Sequence, residues 1–188
     1  MSFQNLLLAL GVAALAAPAL MPRPARGMMI GDRSRFLWVR NRAGDEVAAA
    51  FRNADGTPNW EVVARMQLLF RDLHANAAGP LPVALLDILS LIHGGWRHER
   101  PLVLHSGYRT SATNASLEGA ARASLHLEGR AADFGLRGAT VGDLAEAARS
   151  FASIYGFMGV GRYPGFLHVD IGPRRAWMRQ AAQAGGRE

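Results

Sequence analysis

Two histidines and an aspartate carry the chemistry most readily found in this chain. Ser124-Leu125-His126-Leu127-Glu128-Gly129-Arg130-Ala131-Ala132-Asp133 sets an imidazole and a carboxylate close together, and His168 and Asp170 follow in a later apolar run. Gly129 permits a tight bend after His126, and Ala131 and Ala132 are small enough for close strand packing. Strand alternation puts Ala131 and Asp133 on one face, and His168 and Asp170 on one face of their own run. Two histidines and a carboxylate from neighbouring strands form a ligand set for a catalytic zinc, which keeps its fourth tetrahedral position open for water. The chain contains no cysteine, so thiolate metal sites, disulfides and thiol catalysis are excluded. Spacing alone leaves another reading open, because a strand histidine is as readily a satisfied, half-buried residue as a ligand.

The elements that must position these residues are legible from pattern. Phe36 to Arg40 and Val47 to Phe51 read as strands joined by the hairpin-type loop Asn41-Arg42-Ala43-Gly44-Asp45. After the turn Asp55-Gly56-Thr57-Pro58, Asn59 is an N-cap for a helix with Val62, Met66, Leu69, Phe70 and Leu73 on one face. Pro82 opens a second helix through Leu85, Leu86, Leu89 and Ile92, stopped at Gly94-Gly95. Leu102 to Leu104 reads as a strand entering the loop Ser106-Gly107-Tyr108-Arg109, and Arg130 to Leu136 as another. Thr140 caps an amphipathic helix over Val141 to Tyr155, with Leu144, Ala148 and Phe151 facing inward. Phe157 to Tyr163 and Phe166 to Ile171 form a last hairpin through Pro164-Gly165. Helices early and hairpins late favour an α+β fold over a parallel α/β sheet. At 188 residues the chain suits one domain with a real core.

The ends and the charge bound what the domain meets. Leu6 to Met21 is almost wholly apolar and ends in small residues. It is short for a membrane span and fits a signal-peptide h-region, with Ala14-Leu15-Ala16 as the cleavage site. The first five residues carry no Lys or Arg, so an uncleaved anchor, or a start at Met28 or Met29, stays open. Residues 1–27 are thus a signal peptide or N-terminal anchor with a Pro22-Arg23-Pro24 linker, 28–180 the domain, and 181–188 a flexible tail. The net charge is +6 and no residue is lysine. That pattern reads either as a compositional habit or as attraction to a polyanion or to substrate carboxylates. Nucleic acid is disfavoured, because no block of arginine interleaved with aromatics occurs. Arg174-Arg175 reads as a solvated turn, and nothing in the chain speaks to oligomeric state.

Ser-x-His-x-x-Gly-x-Ala-x-Asp followed by a strand histidine resembles the signature of the zinc D-Ala-D-Ala metallopeptidases, a group related to lysostaphin-type enzymes and the Hedgehog domain. The closer resemblance is to its YcbK-like, murein endopeptidase K-like branch. It runs in collinear order through Phe36-Leu37-Trp38, Phe70-Arg71-Asp72, Ser106-Gly107-Tyr108-Arg109 with Thr113-Asn114, and the zinc motif. Gly159-Val160-Gly161-Arg162-Tyr163-Pro164, Phe166-Leu167-His168-Val169-Asp170-Ile171-Gly172-Pro173 and Trp177 complete it.

This resemblance implies a single α+β domain, with a small antiparallel sheet carrying the site and helices packed on one side. It implies one zinc per chain held by His126, Asp133 and His168, and hydrolysis of peptidoglycan stem peptides or cross-links by an exported, periplasmic enzyme. Zinc in such a site lowers the pKa of a bound water towards about 7.

Arg109 is implied to bind substrate carboxylate or stabilise an oxyanion, the alternative being a salt bridge that braces its loop. Ser124 and Tyr108 are substrate-side candidates, or else a turn stabiliser and a structural aromatic. Zinc D-Ala-D-Ala peptidases carry Glu or Asp three residues before the last histidine ligand, and that position here is Gly165. Asp170 is left either to take the water's proton or to orient a ligand. A zinc-stabilised cell-wall-binding module without catalysis is the competing reading.

Glu128 points away and is solvated. His74 and His93 lie near helix ends, His98 in a charged loop, and His105 beside the Arg109 loop, where a pocket role is open.

Overall fold

The computed structural model describes residues 36–179. The expected signal peptide or anchor and the 181–188 tail lie outside the described residues. Among the described residues, no helix is long and apolar enough to cross a membrane.

Seven strands form one sheet: β1 (Phe36–Asn41), β2 (Glu46–Ala50), β3 (Leu102–Ser106), β4 (Ala131–Leu136), β5 (Phe157–Tyr163), β6 (Phe166–Pro173) and β7 (Arg175–Met178). Their spatial order is β2-β1-β3-β4-β6-β5-β7. The fold is α+β as expected, but the sheet is larger than expected and mixed. β1 runs parallel to β3 and β5 parallel to β7, while the other pairs are antiparallel. The parallel β1–β3 pair is possible because two helices lie in the connection between them, long enough to return the chain to the same end. β7 escaped the sequence reading because it is a four-residue edge strand, largely exposed and opened by arginine.

The helices are α1 (Trp60–Leu69), α2 (Val83–Gly94), α3 (Ser111–Ser116) and α4 (Val141–Tyr155). The Asn59 side chain caps α1 by accepting from the Val62 N–H, and α1 stops at Leu69, leaving Leu73 outside it and partly exposed. Thr140 and Asp143 form a reciprocal capping box on α4. Short α3 was not foreseen, since its Ser-Ala-Thr-Asn-Ala-Ser sequence has little helix propensity; the Thr110 side chain caps it.

Two phases of strand alternation divide the sheet. Leu37, Val39, Leu104, Ala132, Phe134, Val160, Leu167 and Val169 face one side and pack with Met66, Leu69, Leu86, Leu89, Ile92, Leu144 and Ala148 in the core. The helices α1, α2 and α4 therefore cover one face. The opposite phase, carrying Asp133 and His168, is left to loops and to α3.

At the edge of this core, His98 is buried within its loop, its ring 4.4 Å from His93 and 5.5 Å from Phe36. His93 Nε2–H donates to the Arg100 carbonyl at 2.6 Å, while its buried Nδ1 has no hydrogen-bond partner. Burial, and secondarily His98, pushes the His93 pKa down to about 3. An unfolded chain binds this proton near pH 6.5, the folded one only near 3. Stability is therefore lost as pH falls through that window, by up to about 1.4 kcal/mol per pH unit for one proton. We expect urea unfolding between pH 6.5 and 4 to show this slope, reduced by about one proton in His93→Gln, which keeps the donor to Arg100. Parallel slopes for the two proteins would contradict the assignment.

Candidate metal centre

His126 is placed by a 3₁₀ turn, Leu125–Glu128, and by what closes it. Ser124 caps the turn, its Oγ accepting from the His126 N–H at 3.4 Å. Gly129 ends it at φ 64°, where a β-carbon would lie 1.8 Å from the Pro80 carbonyl oxygen, so only glycine fits. The His126 ring donates from Nδ1 to the Gly107 carbonyl at 2.6 Å. A carbonyl can only accept, so Nε2 keeps its lone pair and faces the site.

Asp133 on β4 is directly opposite His168 on β6. Its Oδ1 lies 2.7 Å from His168 Nδ1 and 3.2 Å from His126 Nε2, and the two nitrogens are 3.2 Å apart. His168 donates from its other nitrogen, Nε2, to Asp170 Oδ2 at 3.1 Å. Three acceptor atoms thus converge, all on buried side chains. Metal–ligand bonds of about 2.0–2.1 Å in a tetrahedron would separate the ligand atoms by about 3.3 Å, close to this triangle. Two imidazoles and a carboxylate are the donor set of a catalytic zinc, and the residues fit such an ion.

The surroundings favour positive charge here. Burial would raise the Asp133 carboxyl, but His126 and His168 hold it well below the usual range. Burial would lower His168, yet the Asp133 and Asp170 carboxylates carry it upward, whereas His126 is driven down chiefly by burial. A field that favours a proton between these side chains also favours a metal cation in its place.

Each of the residues around this triangle is held from behind. Asp133 Oδ2 accepts from the Arg109 guanidinium, whose Nε donates to Ser106 Oγ at 2.7 Å. Asp170 is fully buried. Its Oδ1 accepts from the Gly172 and Gly159 N–H groups at 2.8 and 3.3 Å, and its Oδ2 from His168 and, at 2.7 Å, from Arg175. Arg175 is exposed, as a solvated doublet would be, but it opens β7 rather than a turn and its guanidinium reaches the buried carboxylate. The Arg109 loop is fixed by Asp72, which accepts from the Thr110 N–H and hydroxyl at 2.8 and 2.9 Å, and by the Tyr108 N–H donating to the Phe70 carbonyl at 2.8 Å. That accounts for Phe70-Arg71-Asp72 standing far from the ligands in sequence.

His126, Asp133 and His168 open onto a cleft of about 1080 Å³, lined also by Tyr108, Arg109, Ser124, Tyr163, Phe166 and Trp177. Tyr108 lies against Gly79, where a β-carbon would sit 2.3 Å from its ring. His105 lines the cleft, its ring stacked 5.7 Å from Phe166, while Glu128 is exposed and paired with Arg130 at 2.9 Å. Asp72 and the two glycines of β5 entered the sequence reading only as parts of the resemblance and Arg175 only as half of a doublet, none of them with a part in the site. A β-carbon on Gly159 would meet the Asp170 carboxylate at 2.2 Å, and one on Gly161 the Trp177 ring at 2.5 Å. The Gly-x-Gly spacing on one strand face was the available signal.

Comparison with known proteins agrees with this geometry. The family described as peptidoglycan L,D-endopeptidase MepK matches residues 30–177. The chain belongs to this peptidase family. The peptidoglycan L,D-endopeptidase MepK of Escherichia coli K12 is 36% identical over 178 residues, covering 91% of this chain and 94% of that protein. The probable peptidoglycan L,D-endopeptidase MepK of Haemophilus influenzae is 30% identical over 179 residues, covering 90% and 92%.

The glycine seat under Asp170 is open to a stability test. Gly159→Ala must displace a buried, fully hydrogen-bonded carboxylate. We expect a loss of about 1–3 kcal/mol in urea unfolding, the usual cost of overpacking. An unchanged midpoint would contradict the seat.

Proposed function

We propose that this chain is a zinc-dependent endopeptidase that hydrolyses amide bonds in peptidoglycan stem peptides or their cross-links. The observation that carries the proposal is the triangle of His126 Nε2, Asp133 Oδ1 and His168 Nδ1 in the wall of a large cleft. Family membership supports peptidoglycan as the substrate, and the names of the relatives support an L,D bond as the one cut.

His126, Asp133 and His168 hold one zinc. When bound, zinc supplies a Lewis acid for the scissile carbonyl and the means to lower a water's pKa. Asp170 orients His168 and keeps its Nδ1 lone pair directed at the site. It does not serve as the base for water, because it is fully buried and both its oxygens are already engaged by four donors. Arg109 sets the orientation of Asp133 and offsets its charge, and its place in the cleft wall lets it meet the carbonyl or carboxylate of a bound peptide. Ser124 and Tyr108 contact the peptide from the His126 side. Five arginines line the cleft against three carboxylates, which suits a substrate rich in carboxylates.

An enzyme of this substrate acts outside the cytoplasmic membrane, so residues 1–27 are the export signal or anchor of a single domain over 28–180, with 181–188 a tail. The mature amino terminus, measured by mass from cell-envelope fractions, is expected within or just after residues 14–27 if the signal is cleaved, and at residue 1 or 2 if it anchors. Recovery from the cytoplasm with a terminus at Met28 or Met29 would contradict export.

The enzymatic test uses purified protein and peptidoglycan sacculi. We expect release of muropeptides that stops with a chelator, returns with zinc, and is absent in His168→Ala. Asp170→Asn should weaken zinc binding by about 10–100-fold. Full activity in rigorously metal-free protein would contradict the proposal.

A further inference from the structure

The hydroxyl of Tyr163 is tied to the wall of the cleft by a hydrogen bond that it accepts, which leaves its own proton free for another partner. Trp177 lies flat on β5 because Gly161 has no side chain there; a β-carbon would fall 2.5 Å from the indole ring and 2.8 Å from its Nε1. Register makes the location specific, since Gly161 pairs with both His168 on β6 and Trp177 on β7. The Trp177 ring is 5.3 Å from the His168 ring. Its Nε1 is 3.2 Å from the Tyr163 hydroxyl, so that hydroxyl sits on the ligand face, one indole away from a metal ligand.

An indole N–H is a donor only. The Tyr163 oxygen must therefore be the acceptor of this bond, and its own O–H cannot point back at Trp177. The ring plane is restrained by its stack on Phe166, 4.6 Å away with the planes 9° apart. Trp177 is held in turn by the Arg175 guanidinium, 5.3 Å above its ring. The cleft that Tyr163 lines is the one that opens on His126, Asp133 and His168.

We propose that Tyr163 is a catalytic hydrogen-bond donor to the carbonyl oxygen of the amide being cut, and that Trp177 is the positioning residue that aims it. The inference rests on the peptidase reading above and adds a residue to it. No proton is transferred: the O–H stays on Tyr163 and its hydrogen bond strengthens as charge develops on the carbonyl oxygen. Donors of this kind act on the transition state more than on the bound substrate, so the effect belongs in kcat.

Tyr163→Phe keeps the ring and its stack on Phe166, so the fold is expected to survive. With cross-linked muropeptides as substrate, we expect kcat to fall by roughly 10²-fold, with KM, zinc content and melting temperature near wild type. Trp177→Phe should lower kcat less, and its effect should shrink in a Tyr163→Phe background, as required if it acts through Tyr163. A readout independent of turnover is the Trp177 indole N–H signal in a ¹H–¹⁵N spectrum. It should shift in Tyr163→Phe without substrate present.

An active wild type with an equally active Tyr163→Phe would overturn this inference alone. A rise in KM with kcat unchanged would overturn it too, by reducing Tyr163 to a binding contact. Zinc-loaded wild type that cleaves no muropeptide would overturn the peptidase reading itself, and this inference with it.

Discussion

Three lone pairs meet above the middle of the sheet, on His126, Asp133 and His168, and each is aimed by a hydrogen bond made behind it. The His126 ring is turned by the Gly107 carbonyl, Asp133 by the Arg109 guanidinium and His168 by Asp170. Bringing acceptors this close costs electrostatic energy unless a cation or proton lies between them. Much of the structure on this side of the sheet serves to keep them there. Asp72 and the Phe70 carbonyl fix the loop that presents Gly107 and Arg109, and Gly129 lets the turn carrying His126 pass under Pro80.

The two faces of the sheet divide the labour. One alternation phase is aliphatic and packs on three helices, which makes β4 and β6 a rigid base. On β4, β5 and β6 the other phase is small or polar around Asp133, His168 and Asp170, with Ala131, Gly135, Gly159 and Gly161, so that buried chemistry has room. Gly159 vacates the volume that Asp170 fills, and Gly161 the surface on which Trp177 lies. A site carried on paired strands of a packed sheet holds its geometry better than one carried on loops alone. Here only His126 comes from a turn, and that turn is capped at one end by Ser124 and closed at the other by glycine.

Local patterns foretold most of the elements and the ligand strands. Asn59, Thr140 and the period-two runs around Asp133 and His168 lie where alternation and capping rules put them, because those rules act over a few residues. The features not foreseen depend on distant partners. The parallel β1–β3 and β5–β7 pairs cannot be read from either strand alone. The ion pair of exposed Arg175 was not foreseen because its carboxylate partner is buried, nor was the burial of His98 within its loop, to which Phe36 contributes. Asp170 was legible as a neighbour of His168, yet two of the four donors around it, on Gly159 and Arg175, come from residues that its own strand pattern does not reveal.

Zinc K-edge X-ray absorption on the purified, zinc-loaded protein tests the centre most directly. The account predicts one zinc per chain in a four-coordinate shell of nitrogen and oxygen at about 2.0–2.1 Å, with imidazole scattering from two histidines that falls to one in His168→Ala. A six-oxygen shell without imidazole scattering, or a spectrum unchanged by that substitution, would contradict it.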